Sequence, residues 1–246
     1  MTDFKCCAII PSLNHYKSLA KVIESVREHS LDIIIVDDGS SPEAAEQIDK
    51  FNKPDDGVFV IRHATNLGKG AALKTGLEWA RLSGFSHALQ VDADGQHGLA
   101  DTKKLLGVAK DNPAALVTAK PVYDDSMPLG RRVGRWITHV WVWVETLSFS
   151  ITDSMCGFRV YPVAQTLDVI EKETVGKRMD FDTSVMVRMY WRGIDTIEIP
   201  SRVIYPKDNT SNFDVLSDNI LITRMHTQLV FGMLGRLLTF RMRLRS

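Results

Sequence analysis

Cysteine is scarce: the 246 residues carry 3, two of them adjacent (Cys6, Cys7) and the last at Cys156. That is no disulfide framework, and the chain reads as a cytosolic protein with reduced thiols. Long apolar runs are missing as well, since no uncharged stretch reaches the roughly 18 residues that a bilayer span needs. The start, MTDFKCCAII, has no basic stretch ahead of its short apolar run, so no secretory signal is expected. Net charge is absent: 30 basic residues balance 30 acidic ones, and no overall field draws the chain to nucleic acid. There is no internal repeat, low-complexity tract or interdomain linker. A chain of this length fits one large domain, or one domain with an appendage. It is expected to be soluble, or to rest on a membrane without crossing it.

What is present is an alternation of apolar runs and helical periods. Lys5–Ile10 reads as a buried strand closed by Pro11, after which Leu19, Val22, Ile23 and Val26 recur at helical spacing. Asp32–Val36, rich in isoleucine and bounded by turn residues, is a second buried strand. Ser41 then Pro42 marks a helix start: a hydroxyl cap, followed by a proline whose missing N–H would be unpaired there anyway. Val58–Arg62 reads as a strand, and Leu73, Leu77 and Ala80 as one face of a helix that Gly84 ends. His87–Val91 and Ala114–Thr118 are the next two strands. Such alternation implies a mostly parallel sheet with helices on both faces. The second half is less regular. Pro121–Pro128 reads as a loop and Leu129–Phe149 as a helix. Phe158–Tyr161 and Thr196–Pro200 are further strands, with a helix around Thr183–Trp191 between them. From Val215 the pattern is helical to the end.

Ligands of parallel sheets bind beyond the carboxyl ends of the strands. Two such ends carry acids: Asp37 and Asp38 in VDDGSS, and Asp92 and Asp94 in VDADGQ. No lysine or arginine stands nearby in the sequence to neutralise the second pair. Either these acids face water from a turn, or they form half of a metal site. Two common nucleotide motifs are absent: NLGKGAALKTG never gives a Walker P-loop, and Leu73 stands where a dinucleotide fingerprint needs its third glycine.

Four segments come in an order and spacing that resemble an inverting family 2 glycosyltransferase with the A-type nucleotide-sugar fold: IIPSLNHYKSLAKVIESV, IIIVDDGSS, NLGKGAALKTGLEWA and LQVDADGQH. Within that family the chain is most similar to dolichyl- or polyprenyl-phosphate sugar transferases, whose metal motif DADGQH resembles. SMCGFRVYP and MDFDTSVMVRMYWRGIDTIEIP look like the family's acceptor-side segments, and the likeness runs from about Ile9 to Pro200. It implies one α/β, Rossmann-like nucleotide-sugar-binding domain over residues 1–214. A basic amphipathic helical extension over residues 215–246 completes the chain.

The resemblance also implies roles. Asp92, Asp94 and Gln96 would hold Mg²⁺ or Mn²⁺, which neutralises the diphosphate as the sugar leaves it; the bland reading is two solvated acids in a turn. Asp37 would accept from a base N–H or ribose of a UDP- or GDP-linked sugar, with Pro11 and Leu13 as the wall beside the base. Asp38 is expected in an Asx-type turn. Asn66 and Lys69 are placed near the nucleotide, although a plain loop-to-helix cap accounts for their glycine neighbours equally. Arg159 is assigned to a phosphate, against a plain strand arginine. Asp153 would line the acceptor pocket. Asp182, with Asp180 as competitor, stands where related inverting enzymes place a general base; an acid favoured by a helix N-terminus is the rival reading. Arg131 and Arg135, ahead of WITHVWVWV, fit either an acceptor phosphate at a membrane interface or the solvated end of a core helix.

The expected reaction is metal-dependent, inverting transfer of a sugar from a nucleotide diphosphate to a lipid-linked acceptor at the cytosolic membrane face. Transfer to a sugar or other hydroxyl acceptor, with Asp182 as base, is the alternative. A non-catalytic nucleotide-sugar-binding subunit is the other. YPKDNTSNF (Tyr205–Phe213) has the composition of a loop that closes over substrates. After Asp218 there is no acid, while Arg224, Arg236, Arg241, Arg243 and Arg245 follow. Ile222, Met225, Leu229, Met233, Leu237 and Phe240 form one apolar helical face, which either lies in a membrane interface or packs on protein.

Overall fold

Isoleucine-rich runs build the centre of the molecule. The computed structural model describes residues 4–95, 98–122, 129–202 and 215–243. The first half contains β1 (Cys6–Ser12), α1 (Tyr16–Arg27), β2 (Asp32–Asp37), α2 (Pro42–Asp49), β3 (Val58–Arg62), α3 (Lys69–Leu82), β4 (His87–Gln90) and α4 (Thr102–Asp111). The second contains β5 (Leu116–Val122), α5 (Leu129–Thr146), β6 (Arg159–Pro162), α6 (Val163–Lys172), α7 (Phe181–Trp191), β7 (Thr196–Arg202) and α8 (Val215–Arg243). The strands form one sheet in the order β3-β2-β1-β4-β6-β5-β7. β6 runs antiparallel to β4 and β5, and the other pairs are parallel.

Successive side chains of a strand face opposite sides of the sheet, and the core divides accordingly. Ala8, Ile10, Ile33 and Ile35 pack against Leu19, Val22 and Val26 of α1, Ile48 of α2 and Leu105 of α4. Cys7, Ile9, Ile34 and Val36 pack against Leu73 and Leu77 of α3, with Leu167 of α6 and Val185 of α7 in the same cluster. Each fully buried isoleucine contributes roughly 1.5–3 kcal/mol, so both faces are held by the same strand residues. Ser41 caps α2 through Ala44 N–H at 3.4 Å, with Pro42 in the first turn. Gly84, with φ +76°, follows the end of α3. Both ends match the sequence expectation.

Some boundaries differ. β1 continues through Pro11 to Ser12. Its pairing with β4 ends at Ile9–Gln90, while pairing with β2 continues to Ser12–Asp37. Ser12 O accepts from Asp38 N–H on the β2 side, so Pro11 faces the side already open and forfeits no ladder bond. β5 likewise passes through Pro121, on a stretch that pairs only with β7. The α6 helix, which the apolar pattern alone did not single out, completes one face of the sheet. Residues 123–128, in the expected loop, and Tyr205–Phe213 lie outside the described residues.

The C-terminal face splits between the two expectations. Met225, Leu229 and Met233 are buried, and Ile222 packs against the core, so this stretch meets protein rather than lipid. Leu216, Ile220, Phe231, Leu234 and Leu238 lie exposed on the same helix. Phe240 lies outside the described side chains. Among the described residues no helix is long and apolar enough to cross a membrane.

Candidate active site

Topology gathers the site. β1, β2 and β4 end at one edge of the sheet, and the antiparallel β6 begins there, because Gln90 at the end of β4 pairs with Arg159 at the start of β6. The segment just ahead of β6 therefore lies against the turn that follows β4. This contact is what brings Gly157 to Asp92: a Cβ built on Gly157 would stand 2.7 Å from Lys69 Nζ and Gln90 Nε2, and 2.8 Å from Asp92 Oδ2. Any larger residue would push these groups apart.

Lys69, in the first turn of α3, links two carboxylates from distant parts of the chain. Its ammonium lies 2.9 Å from Asp92 Oδ1 and 3.1 Å from Asp182 Oδ2. Burial pulls the Lys69 pKa down, but Asp182 and Asp92 outweigh it and hold the group well above its ordinary value. Lys69 is therefore a fixed cation. Asp182, in the first turn of α7, is buried, and its Oδ1 has no hydrogen-bond partner among the described residues. Asp180, the competing base, instead accepts from Arg178 N–H at 3.1 Å and steadies the turn before α7.

Arg159 holds this arrangement from behind. It is fully buried and donates to the carbonyls of Cys156 at 2.6 Å, Asp182 at 2.7 Å and Ser154 at 2.6 Å. A guanidinium engaged by three main-chain acceptors does not face the open side of the site, so the phosphate contact expected of Arg159 is not its place in this structure. It fixes the backbone that carries Asp182. Asp153 organises the other end of the same segment, accepting from Met155 and Cys156 N–H at 2.9 and 3.0 Å and pairing with Arg135 of α5. Burial alone would raise Asp153; His139 and Arg135 beside it outweigh that and hold it well below the usual carboxylate range. Arg135 and Asp153, expected separately on the acceptor side, are thus partners. Arg131 begins the same helix, its side chain outside the described residues.

The acids of β2 are differently placed. Asp37 is wholly buried, meets Arg62 Nε at 2.7 Å and accepts from Ser40 N–H at 3.1 Å. The turn-type bond expected of Asp38 therefore belongs to Asp37. Asp38 accepts from Leu67 and Gly68 N–H at 3.0 and 2.7 Å and meets His63 Nδ1 at 2.7 Å. It holds the loop that presents Lys69. Asn66 of that loop is exposed, and Pro11 and Leu13 are half-buried at the end of β1. Gly68, with φ +104°, would put a Cβ 2.4 Å from Lys177 O; the close approach that needs glycine is to the segment before α7. Asp94 follows Asp92 in the turn, half-buried, where Ser18 Oγ holds the intervening Ala93 carbonyl at 2.6 Å. Gln96 lies outside the described residues.

Sequence reasoning passed over Gln90, Tyr161 and Gly157. Tyr161 donates to Gln90 Oε1 at 3.0 Å, and Gln90 Nε2 reaches Asp92 Oδ1 at 3.4 Å. Burial pushes the Tyr161 phenol up, so it stays a donor. The available signal was Gln90 itself, a polar residue inside the apolar run ALQV.

The family model for glycosyl transferase family 2 matches residues 7–170. This chain belongs to glycosyltransferase family 2. The match spans β1 to α6 and thus contains both acidic strand ends. This family 2 glycosyltransferase is 28% identical over 222 residues to the UDP-N-acetylglucosamine–dolichyl-phosphate N-acetylglucosaminyltransferase of Methanococcus voltae, covering 83% of this chain and 88% of the relative. It is 26% identical over 198 residues to the undecaprenyl-phosphate mannosyltransferase of Micrococcus luteus, covering 78% and 80%. Among solved structures, it superposes on glucosyl-3-phosphoglycerate synthase of Mycobacterium tuberculosis, in complex with Mn²⁺, UDP-glucose and phosphoglyceric acid. The TM-score is 0.67 at 15% identity, covering 94% of this chain and 80% of that one. The A-type fold expected from the sequence is the fold observed, and the protein is a glycosyltransferase rather than a non-catalytic subunit.

Proposed function

We propose that this glycosyltransferase moves a sugar, with inversion, from a nucleoside diphosphate sugar to a lipid-linked acceptor whose nucleophile is a phosphate oxygen. The observation that carries the reading is the convergence of Asp92, Lys69 and Asp182 at the strand ends. The named relatives, which act with dolichyl or undecaprenyl phosphate, support the acceptor class.

Asp92 and Asp94 are the protein's oxygen donors to Mg²⁺ or Mn²⁺ in this reading, with Gln96 a third from the same motif. Among the described residues no group of three or more His, Cys, Asp or Glu side chains is placed to hold a metal by itself. Two carboxylates one residue apart suit a hard cation that completes its shell with diphosphate oxygens and water, so the residues fit. When bound, such a cation neutralises charge on the departing diphosphate. The UDP- or GDP-linked donor lies over the ends of β1 and β2 beside Pro11, Leu13 and Asn66. The acceptor oxygen attacks the anomeric carbon opposite the diphosphate, forming one C–O bond as the other breaks. A phosphate acceptor is already ionised at neutral pH and needs no base. Arg135 of α5, paired with Asp153, borders the acceptor side, and Arg131 belongs to the same helix.

A second reading has its own observation. The buried Oδ1 of Asp182 has no hydrogen-bond partner among the described residues, which leaves a lone pair able to take a proton from a hydroxyl acceptor.

A membrane surface, on its cytosolic face, belongs to the first reading. α5 and α8 pack together through His226 and Glu145 at 2.7 Å, and both carry exposed apolar residues. Trp136, Ile137 and Trp141 lie on α5, and Ile220, Phe231 and Leu238 on α8. Exposed tryptophans beside arginines suit a lipid headgroup layer.

The direct test is sugar transfer from UDP- and GDP-sugars to a short-chain polyprenyl phosphate, with Mn²⁺ and with EDTA. Metal-dependent formation of the polyprenyl-phosphate sugar is expected. Transfer to simple sugars or glycerol-type hydroxyls alone would overturn the acceptor assignment in favour of the second reading.

A further inference from the structure

Asp92 must serve an arriving cation in the function proposed above, yet a cation of the protein itself already holds it. Lys69 Nζ sits within 3.1 Å of both Asp92 oxygens and of Asp182 Oδ2. Three separate elements deliver these groups: the start of α3, the turn after β4 and the start of α7. Without the ammonium the two carboxylates would repel one another across a partly buried gap. Gly157 closes the space behind it, at distances that leave no room for a methyl group. The ammonium suits this post because it is a compact point charge on a flexible stem, able to leave one anion for another.

We infer that Lys69 is a resident counter-ion, which occupies the cation position at Asp92 until metal and diphosphate arrive and then releases Asp182. The inference rests on the metal reading proposed above. Were a divalent cation held at Asp92, the Lys69 ammonium would turn from the carboxylates to the diphosphate oxygens. Asp182 loses the hydrogen bond from Lys69 at the same moment and becomes available on the acceptor side. Donor loading thus precedes acceptor competence, and free metal alone competes poorly for a site already neutralised. The pairing of Lys69 with both acids, rather than with Asp92 alone, is what couples the two events.

The test measures Mn²⁺ binding without nucleotide, by titration with the spin-resonance signal of free Mn²⁺. Lys69→Met and Lys69→Gln are compared with the unmodified chain, and circular dichroism checks that each variant is folded. Glutamine keeps a hydrogen-bonding end for the two carboxylates and serves if the methionine variant unfolds. Both neutral variants should bind Mn²⁺ more tightly, by on the order of tenfold, whereas Lys69→Arg, which retains a cation there, should stay close to the unmodified chain. A folded neutral variant with unchanged Mn²⁺ affinity would overturn the inference. A parallel titration of the unmodified chain with UDP and GDP, with and without Mn²⁺, separates the two levels. If Mn²⁺ strengthens nucleotide binding but the neutral variants show no gain, the counter-ion inference alone fails. If Mn²⁺ affects neither nucleotide, the metal reading fails and takes the inference with it.

Discussion

Two pairs of acids end two parallel strands of this sheet, and the molecule uses them in opposite ways. Asp37 and Asp38 are buried at the end of β2 and answered by the protein: Arg62 and Ser40 for one, His63, Leu67 and Gly68 for the other. Asp92 and Asp94 are only half-buried, and Asp92 meets a lysine that also answers to Asp182. The β2 pair shapes loops. The β4 pair keeps charge near the surface, where a substrate can reach it. A carboxylate's place at a strand end does not by itself make it chemical; burial and the kind of partner that meets it distinguish the two pairs.

The sharpest test of this contrast is loss of the β4 acids. Asp94→Ala should abolish turnover and Asp92→Ala nearly so, because unneutralised diphosphate adds several kcal/mol, roughly, to the barrier. Thermal melts should show the Asp94 variant still folded, and EDTA should reproduce its loss of activity. Full activity in EDTA would return these residues to the bland reading. Asp182→Asn is next in size. With a hydroxyl acceptor the rate should fall by roughly 100- to 10,000-fold, and with a phosphate acceptor far less. Donor affinity measured alongside shows whether the site is otherwise intact.

The β2 side should respond in stability. Asp38→Ala strands two loop N–H groups and His63, and should lower unfolding free energy by on the order of 3 kcal/mol, read by denaturant titration. If it removed activity without stability, the contrast between the two strand ends would collapse.

Asp153→Asn adds a pH signature, with a loss of about 2 kcal/mol expected at neutral pH. The folded chain holds this carboxyl below its ordinary value of 3.8, so the stability it contributes is complete above that value. It fades as pH falls through the lower folded one. The gap between variant and unmodified melting temperatures should therefore be full at neutral pH and close in strong acid. A gap independent of pH would mean that packing, not charge, carries it.

The last test concerns α8, where the readout is membrane contact rather than activity. Phe231→Ser with Leu238→Ser should weaken co-sedimentation with anionic liposomes and leave melting temperature nearly unchanged. Leu229→Ala, on the buried side, should instead cost about 2–5 kcal/mol of stability. Changing Arg241, Arg243 and Arg245 to Gln should release the chain further, by about 1 kcal/mol for each. Liposome binding that survives every one of these changes would remove α8 as the anchor.

Local chemistry made much of this legible in the residues. Strand identity followed from isoleucine runs, helix starts from Ser41–Pro42, and the sheet edge that holds the site from acids at two strand ends. These are signals of short range, because burial periodicity and turn chemistry act over a few residues. Which partner meets each acid was a different matter. Nothing in VDDGSS announces Arg62 or His63, and nothing in VDADGQ announces Lys69 or Gly157. Lys69 lies 113 residues from Asp182, and Arg159 is held by the carbonyls of Ser154, Cys156 and the distant Asp182. Likewise the apolar period of α8 showed that one face would be covered, while the contact with α5 decided that Met225 and Leu229 are covered by protein. Composition and spacing determined the fold and the chemistry available to it. Only the tertiary structure decided which charges neutralise one another, because Coulomb attraction and desolvation depend on distance through space.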